Sequence, residues 1–324
     1  MLKYAHRVAL PFLAALVWAV PAIAADEVYP SKPVTIIVPF APGSGTDTCA
    51  RLIGEYLRAS LGQSFVIENQ TAAGGTVAAA NAARANPDGY TIVITTNTTH
   101  SAGPAIFKNI KYDPIKDFAP IARIGNIGSI VVSNPELPPK TITEFIAYAK
   151  ANTGKLSYGF GNSTGRVVGE TLRRVTQIDV VPVSYRSNIT AGTDLISGRL
   201  SMMIADFTTG IPQIKAGKMR ALAVPTIKRS VDFPDVPTLD ETVMPGFDLI
   251  AWLGMFAPTG TPPEIVEKLS KEMKVILSRP DIQAKFHSVG IEAFWNGPEE
   301  FDKFVKSELT KWTGLIKAAG IEPQ

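Results

Sequence analysis

The chain has 324 residues, 45% hydrophobic and 19% charged, ample material for packed cores; its length suits two domains better than one. Without the basic residues of an amino-terminal leader, Lys3 and Arg7, 32 basic residues become 30 against 29 acidic ones, and the formal charge falls from +3 to +1. That balance, with no basic block interleaved with aromatics, excludes nucleic-acid binding, and the single cysteine, Cys49, excludes an intrachain disulfide.

Residues 1–25 have the pattern of a signal peptide. Lys3 and Arg7 form a positive start, residues 8–20 are apolar, and Ala22-Ile23-Ala24 is a small-x-small cleavage signal. The apolar run is short and broken by Pro11, which argues against a membrane anchor. A mature protein beginning near Ala25 and exported to a bacterial periplasm is expected.

The next stretch, residues 34–38, is a continuous apolar run of the kind that forms a buried parallel strand. It leads into Pro39-Phe40-Ala41-Pro42-Gly43-Ser44-Gly45-Thr46-Asp47 and then a segment with helical spacing of Leu52, Ile53, Tyr56 and Leu57. Gly43 and Gly45 allow positive φ, and Thr46 or Asp47 can cap the helix. Amides at that helix start, backed by about half a positive charge, suit a carboxylate or phosphate. A glycine-rich turn that only joins strand to helix is the plain alternative.

Residues 65–69 are expected as a second strand, 72–75 as the opening of an Ala-rich helix, and 91–95 as a third buried strand. The alternation indicates an α/β fold with parallel strands. Thr96, Asn97 and His100 follow the third strand at its carboxyl edge, where ligands bind in open α/β sheets. Residues 121–133 form a long extended segment that crosses between domains, and Thr141 to Glu144 is a capping box opening a helix.

The opening pattern then recurs, with a short strand at 156–160, the polar turn Gly161-Asn162-Ser163-Thr164-Gly165, and a helix over 166–175. Short apolar strands continue at 180–183, 200–204 and 220–224, with Tyr185 and Asp206 just after two of them. Residues 247–256 form a second crossing, and 262–320 are expected as three helices, with Pro280 and Pro298 in first turns. Two crossings make one domain discontinuous, 26–128 with 250–324, around a continuous one, 129–249. The ligand cleft then lies between them.

Gly161 to Gly165 also matches G-x-S-x-G, the nucleophile elbow of a serine hydrolase using Ser163. A triad in that chain order needs a downstream histidine, and the only one is His287, in the helical tail. No phosphate-loop motif, complete dinucleotide fingerprint or paired metal ligands occur, so neither metal nor cofactor is expected. Cys49 is expected to be a buried packing residue, and Trp252 a core or hinge residue. Arg166 opposes the helix dipole in its first turn, a cost a bound carboxylate offsets.

Tyr29-Pro30-Ser31-Lys32-Pro33, Ile37-Val38-Pro39-Phe40-Ala41-Pro42-Gly43, Ile67-Glu68-Asn69, Pro87-Asp88-Gly89-Tyr90-Thr91, Lys116-Asp117-Phe118-Ala119-Pro120 and Trp252-Leu253-Gly254 together resemble the periplasmic receptors of tripartite tricarboxylate transporters, the Bug receptors. The resemblance runs in order along essentially the whole mature chain. It implies a two-lobed periplasmic-binding-protein fold of type II kind, with parallel-rich sheets, flanking helices and two hinge strands. It further implies a monomer that closes on a small carboxylate and delivers it to a two-component membrane permease. By the same resemblance, Pro42 to Asp47 grip a ligand carboxylate, partly through waters, facing Gly161 to Arg166, with Thr96 to His100 and Asp206 as further contacts. Arg166 stands where the family usually has histidine. That departure suggests a second ligand carboxylate, on an aliphatic or an aromatic (terephthalate-type) body.

Overall fold

The computed structural model describes residues 29–324; the expected signal peptide and its cleavage site lie outside them. Largely apolar runs of five to ten residues become the central strands, and helices pack apolar stripes on them. The first half of one sheet is β1 (Val34–Val38), α1 (Gly45–Leu61), β2 (Phe65–Asn69), α2 (Thr76–Ala83), β3 (Thr91–Thr96), α3 (Gly103–Ile106) and β4 (Phe118–Ile127). The chain then builds β5 (Ser129–Ser133), α4 (Ile142–Ala151), β6 (Leu156–Phe160), α5 (Ser163–Thr176), β7 (Val180–Ser184), α6 (Asn188–Ile196), β8 (Met202–Asp206), α7 (Phe207–Lys215), β9 (Arg220–Ala223) and α8 (Leu239–Thr242). It returns through β10 (Ala251–Pro258), α9 (Pro263–Leu277), α10 (Pro280–His287), β11 (Ile291–Asn296) and α11 (Pro298–Ala318).

Two mixed sheets result, six strands in the order β11-β4-β10-β3-β1-β2 and five in the order β7-β6-β8-β5-β9. β1 pairs in parallel with β2 and β3, and β6 with β7 and β8. The strands beside each crossing add antiparallel pairs, β10 with β3 and β4, and β5 with β8 and β9. Pro182 sits in β7, an edge strand, where its missing N–H costs no ladder bond. No helix among the described residues is long and apolar enough to cross a membrane.

The first crossing is a single residue. Gly128 separates β4, in the six-stranded sheet, from β5, in the other. A Cβ on Gly128 would lie 2.5 Å from the Phe207 ring, so a glycine is required by close approach and not by backbone conformation. The second crossing passes through 246–250, where the Leu249 amide donates to the Pro225 carbonyl at 2.8 Å before β10 begins.

The three helices expected of the tail are present as α9, α10 and α11, and a strand that was not expected stands between the last two. β11 joins the first sheet's edge, pairing with β4. Its alternation of Ile291, Ala293 and Trp295, between Gly290 and Gly297-Pro298, is strand patterning hidden between two strong helices. α11 also departs from a simple assignment to the first lobe. Its start packs Phe301 and Val305 beside Trp252 and Phe256, whereas Trp312 and Ile316 enter the core that holds Phe145, Tyr158 and Leu172 of the second.

Two changes test this arrangement. Gly128→Ala is expected to cost about 1–3 kcal/mol by overpacking Phe207. Trp312→Ala, by emptying a fully buried site, is expected to cost about 3–5 kcal/mol. Urea unfolding of each variant against the parent measures both, and parent-like midpoints would refute these packing roles.

Candidate functional site

The loop after β1 is held from behind. Ser44 is the N-cap of α1, its Oγ accepting from the Asp47 amide at 3.3 Å, so the cap is neither Thr46 nor Asp47 as the sequence suggested. Asp47 Oδ2 accepts from the Gly43 amide at 2.8 Å and from Arg51 Nε at 2.9 Å, and Oδ1 accepts from Asn69 Nδ2 at 2.8 Å. Burial pushes the Asp47 carboxyl up, but the bonds from Arg51, Gly43 and Asn69 outweigh it and leave the group below its ordinary value. Asp47 is therefore loop scaffold, buried behind the cleft.

Gly43 does take positive φ, at 81°, but Gly45 does not. A Cβ on Gly45 would stand 2.2 Å from Ile127 Cδ1 and 3.0 Å from Thr208 Oγ1. Its glycine admits both the end of β4, through Ile127, and the second lobe, through Thr208, to the start of α1.

The second lobe answers with three helix starts. Asn162 caps α5, accepting from the Gly165 amide at 2.8 Å; Ser187 caps α6; Asp206 caps α7, accepting from the Thr209 amide at 2.9 Å. Asn188 ties them together, its Oδ1 accepting from the Gly161 amide at 3.0 Å and its Nδ2 donating to Asp206 Oδ2 at 2.9 Å. The ends of α1, α5, α6 and α7 all line one inner pocket of about 40 Å³. Ser44, Gly45, Thr46, Thr96, Asn97, Gly161, Asn162, Thr164 and Asp206 are brought together there. The amides of Gly45, Thr46 and Thr164 have no acceptor within their helices.

Side chains also bridge the lobes at this pocket. Asn97 Nδ2 donates to Thr164 Oγ1 at 3.1 Å, and Ser163 Oγ donates to Thr98 Oγ1 at 3.0 Å. Asn97 Oδ1 and Ser129 Oγ are buried there without a protein partner, which suits a polar occupant.

The inner pocket shares the walls Phe40, Thr98, Gly161 and Asn162 with an adjoining outer chamber of about 620 Å³. Ser163, Arg166 and Tyr185 line the chamber. Tyr185 is fixed by donating to Asp194 Oδ2 at 2.9 Å; burial, then that bond, raise its phenol to about 12. Lining residues that sequence reasoning missed are 72–75, Ser129 and Asn188, while Phe40 lies in the first loop and Arg186 and Ser187 follow β7 beside Tyr185. The glycine pair after β2 and the Ser187 cap after β7 carried the same strand-end signal that singled out the first loop.

Pro42 and Gly43 lie on the exposed rim, outside both compartments. His100 is a clear correction to the expected contact set. A wide π-type turn over Thr98–Ala102 swings it inward, onto the Phe256 ring at 4.2 Å and beside Phe118 at 4.5 Å. Its Nδ1 meets Thr99 Oγ1 at 2.9 Å, and burial lowers its pKa to about 3. Cys49 is likewise fully buried, its thiol pushed far up by burial, as a packing residue should be. Among the described residues no histidine bonds to Ser163, whose Oγ donates to Thr98, and His287 is on α10, 3.5 Å from Asp232.

His100 remains neutral in the fold while the unfolded chain protonates it near pH 6.5, so stability is full above that pH and falls as pH drops toward 3. His100→Phe is expected to remove about 1.4 kcal/mol per pH unit of that loss between pH 5.5 and 4, and to leave carboxylate affinity within about twofold. Parallel urea melts at several pH values, with titration calorimetry, test both; identical pH slopes in parent and variant would refute the assignment.

A family model described as "Tripartite tricarboxylate transporter family receptor" matches residues 49–321. Among solved structures, Rpa4515 of R. palustris with adipate superimposes with a TM-score of 0.89 at 32% identity, covering 91% of this chain and 100% of that one. The periplasmic binding protein BugD gives 0.87 at 34% identity over 91% and 100%. MatC of Rhodopseudomonas palustris with bound malate gives 0.82 at 32% over 89% and 100%. The two-lobed scaffold, the facing helix starts and the match along most of its length agree: this chain belongs to the tripartite tricarboxylate transporter receptor family, whose members are solute-binding receptors and not enzymes.

Proposed function

We propose that the protein captures a small carboxylate, in particular a dicarboxylate, by hinge closure in the periplasm and delivers it to the two-component permease of a tripartite tricarboxylate transporter. The observation that carries the reading is the convergence of four helix starts from both lobes on one small pocket. Amides without intrahelical acceptors stabilise a carboxylate there, and the dipoles behind them add to the attraction. Adipate in Rpa4515 and malate in MatC, both dicarboxylates, support the ligand class.

Closure follows from where the contacts lie. Residues 26–128 and 250–324 form one lobe in this reading and 129–249 the other, with the end of α11 reaching into the second core. An acid held by α1 on one side and α5 on the other has more partners when the lobes meet than when they part. Its differential affinity shifts the population toward the closed form. The protein acts as a monomer, with no metal or cofactor.

Arg166 supplies the second anion site. The nearby Arg173 and Arg199 are paired with Glu170 and Asp194, whereas Arg166 has no acidic partner among the described residues and lines the outer chamber. A thermal-shift screen of mature protein against small acids and their amides tests the receptor reading, since ligand at 100 times Kd adds roughly 2.7 kcal/mol. Stabilisation by acids alone is expected, and a flat response to every acid would overturn it. Arg166→Ala is expected to weaken a dicarboxylate about 10- to 100-fold while sparing its monoacid analogue; an unchanged diacid-to-monoacid ratio would refute the second site.

A further inference from the structure

The two compartments of the cleft differ in size and in chemistry. The inner pocket, at about 40 Å³, has room for little beyond a carboxylate and a water. The space left for the body of a ligand anchored there is the adjoining outer chamber, which shares four walls with the pocket and measures about 620 Å³. Its walls carry four aromatic rings, Phe40, Phe107, Phe160 and Tyr185, and its charged side chains are two guanidiniums, Arg166 and Arg186.

Phe160 ends β6 and is only half-buried, so part of its ring is left to the chamber. The Arg166 guanidinium stands 6.0 Å from the centre of that ring. Arg186 is exposed and, like Arg166, has no acidic partner among the described residues. A flat ring in the chamber is therefore offered an aromatic platform and two cations by the same wall. A flexible aliphatic chain gains contact area there but must lose rotor freedom to keep its far end near the arginines. A rigid arene has already lost it, and gains ring-on-ring attraction beyond area.

Resting on the receptor reading above, we propose that the outer chamber is the specificity compartment for an acid with a flat aromatic body and a second anionic end, with Phe160 stacking on the body and Arg166 and Arg186 meeting the far anion. The inner pocket then sets that the ligand is an acid, and the chamber sets which acid.

Titration calorimetry of the mature protein with benzene-1,4-dicarboxylate, trans-cyclohexane-1,4-dicarboxylate, hexanedioate and benzoate tests this. The parent is expected to bind the benzene diacid about three- to tenfold more tightly than either saturated diacid. Phe160→Leu should abolish that preference, and Arg186→Ala should weaken the benzene diacid about tenfold while leaving benzoate unchanged. Because Arg186 is exposed, its replacement keeps the test valid if Phe160→Leu fails to fold. Hexanedioate binding as tightly as the benzene diacid, a preference that survives in Phe160→Leu, or diacid and benzoate falling equally in Arg186→Ala would overturn the inference and leave the receptor reading standing. Failure of all four acids to bind while other small acids stabilise the protein in the thermal-shift screen would overturn the inference alone, and a flat screen as well would overturn both.

Discussion

The structure depends on what becomes of amides that no helix can satisfy. Each helix leaves its first N–H groups without acceptors, and at α1, α5, α6 and α7 those ends are turned toward one pocket. Side-chain caps from Ser44, Asn162, Ser187 and Asp206 each satisfy one amide and leave neighbouring ones aimed at the cleft. An anion there completes hydrogen bonding that the fold itself leaves open. Because α1 packs with one sheet and α5, α6 and α7 with the other, these open amides come from both lobes.

Keeping such ends close requires small residues at the contact and a short hinge. Gly45 admits Ile127 and Thr208, and Gly128 admits Phe207; a methyl at either position would collide within 2.5 Å. The Thr208 hydroxyl donates to the Val289 carbonyl at 2.8 Å, so α7 touches both the start of α1 and the turn before β11. α11 adds a longer tie, with its first half in one core and Trp312 and Ile316 in the other. The lobes therefore meet through small contacts near the crossings, the Asn97–Thr164 and Ser163–Thr98 bridges at the pocket, and apolar residues of α3 and α11 that enter the second core.

Much of this was legible in the sequence because it rests on local patterns. An apolar run, a polar glycine turn and an amphipathic helix occur twice, at 34–61 and at 156–176, and both gave cleft walls. Failures came where side-chain direction depends on tertiary geometry. Thr96 to His100 is uniformly polar as a string, yet the π-type turn sends Thr96, Asn97 and Thr98 to the cleft and His100 into the aromatic cluster of Tyr112, Phe118 and Phe256. Gly45 looked like a conformational glycine because its reason, a Cβ-sized space already filled by Ile127 and Thr208, far away in sequence, has no local signature. Asn188, which joins Gly161 to Asp206, was missed because its partners lie 27 and 18 residues away.

Asp206 is the one acid among the polar groups of the inner pocket, and its presence needs reconciling with an anion site. Both of its oxygens are committed: Oδ1 to the Thr209 amide and hydroxyl, and Oδ2 to Asn188. Its charge is thus engaged at the head of α7, where an acid is favoured. The remaining helix ends keep their field for the ligand. Asn188 spends its own Oδ1 on the Gly161 amide, which fixes the turn before α5. Fixed dipoles line the depth of the cleft and long cationic side chains line its mouth. Depth built from backbone needs little rearrangement to hold a carboxylate, whereas a mouth built from Arg166 and Arg186 can change partners without disturbing the fold. Recognition of an acid and choice among acids are in this way carried by different parts of one cleft.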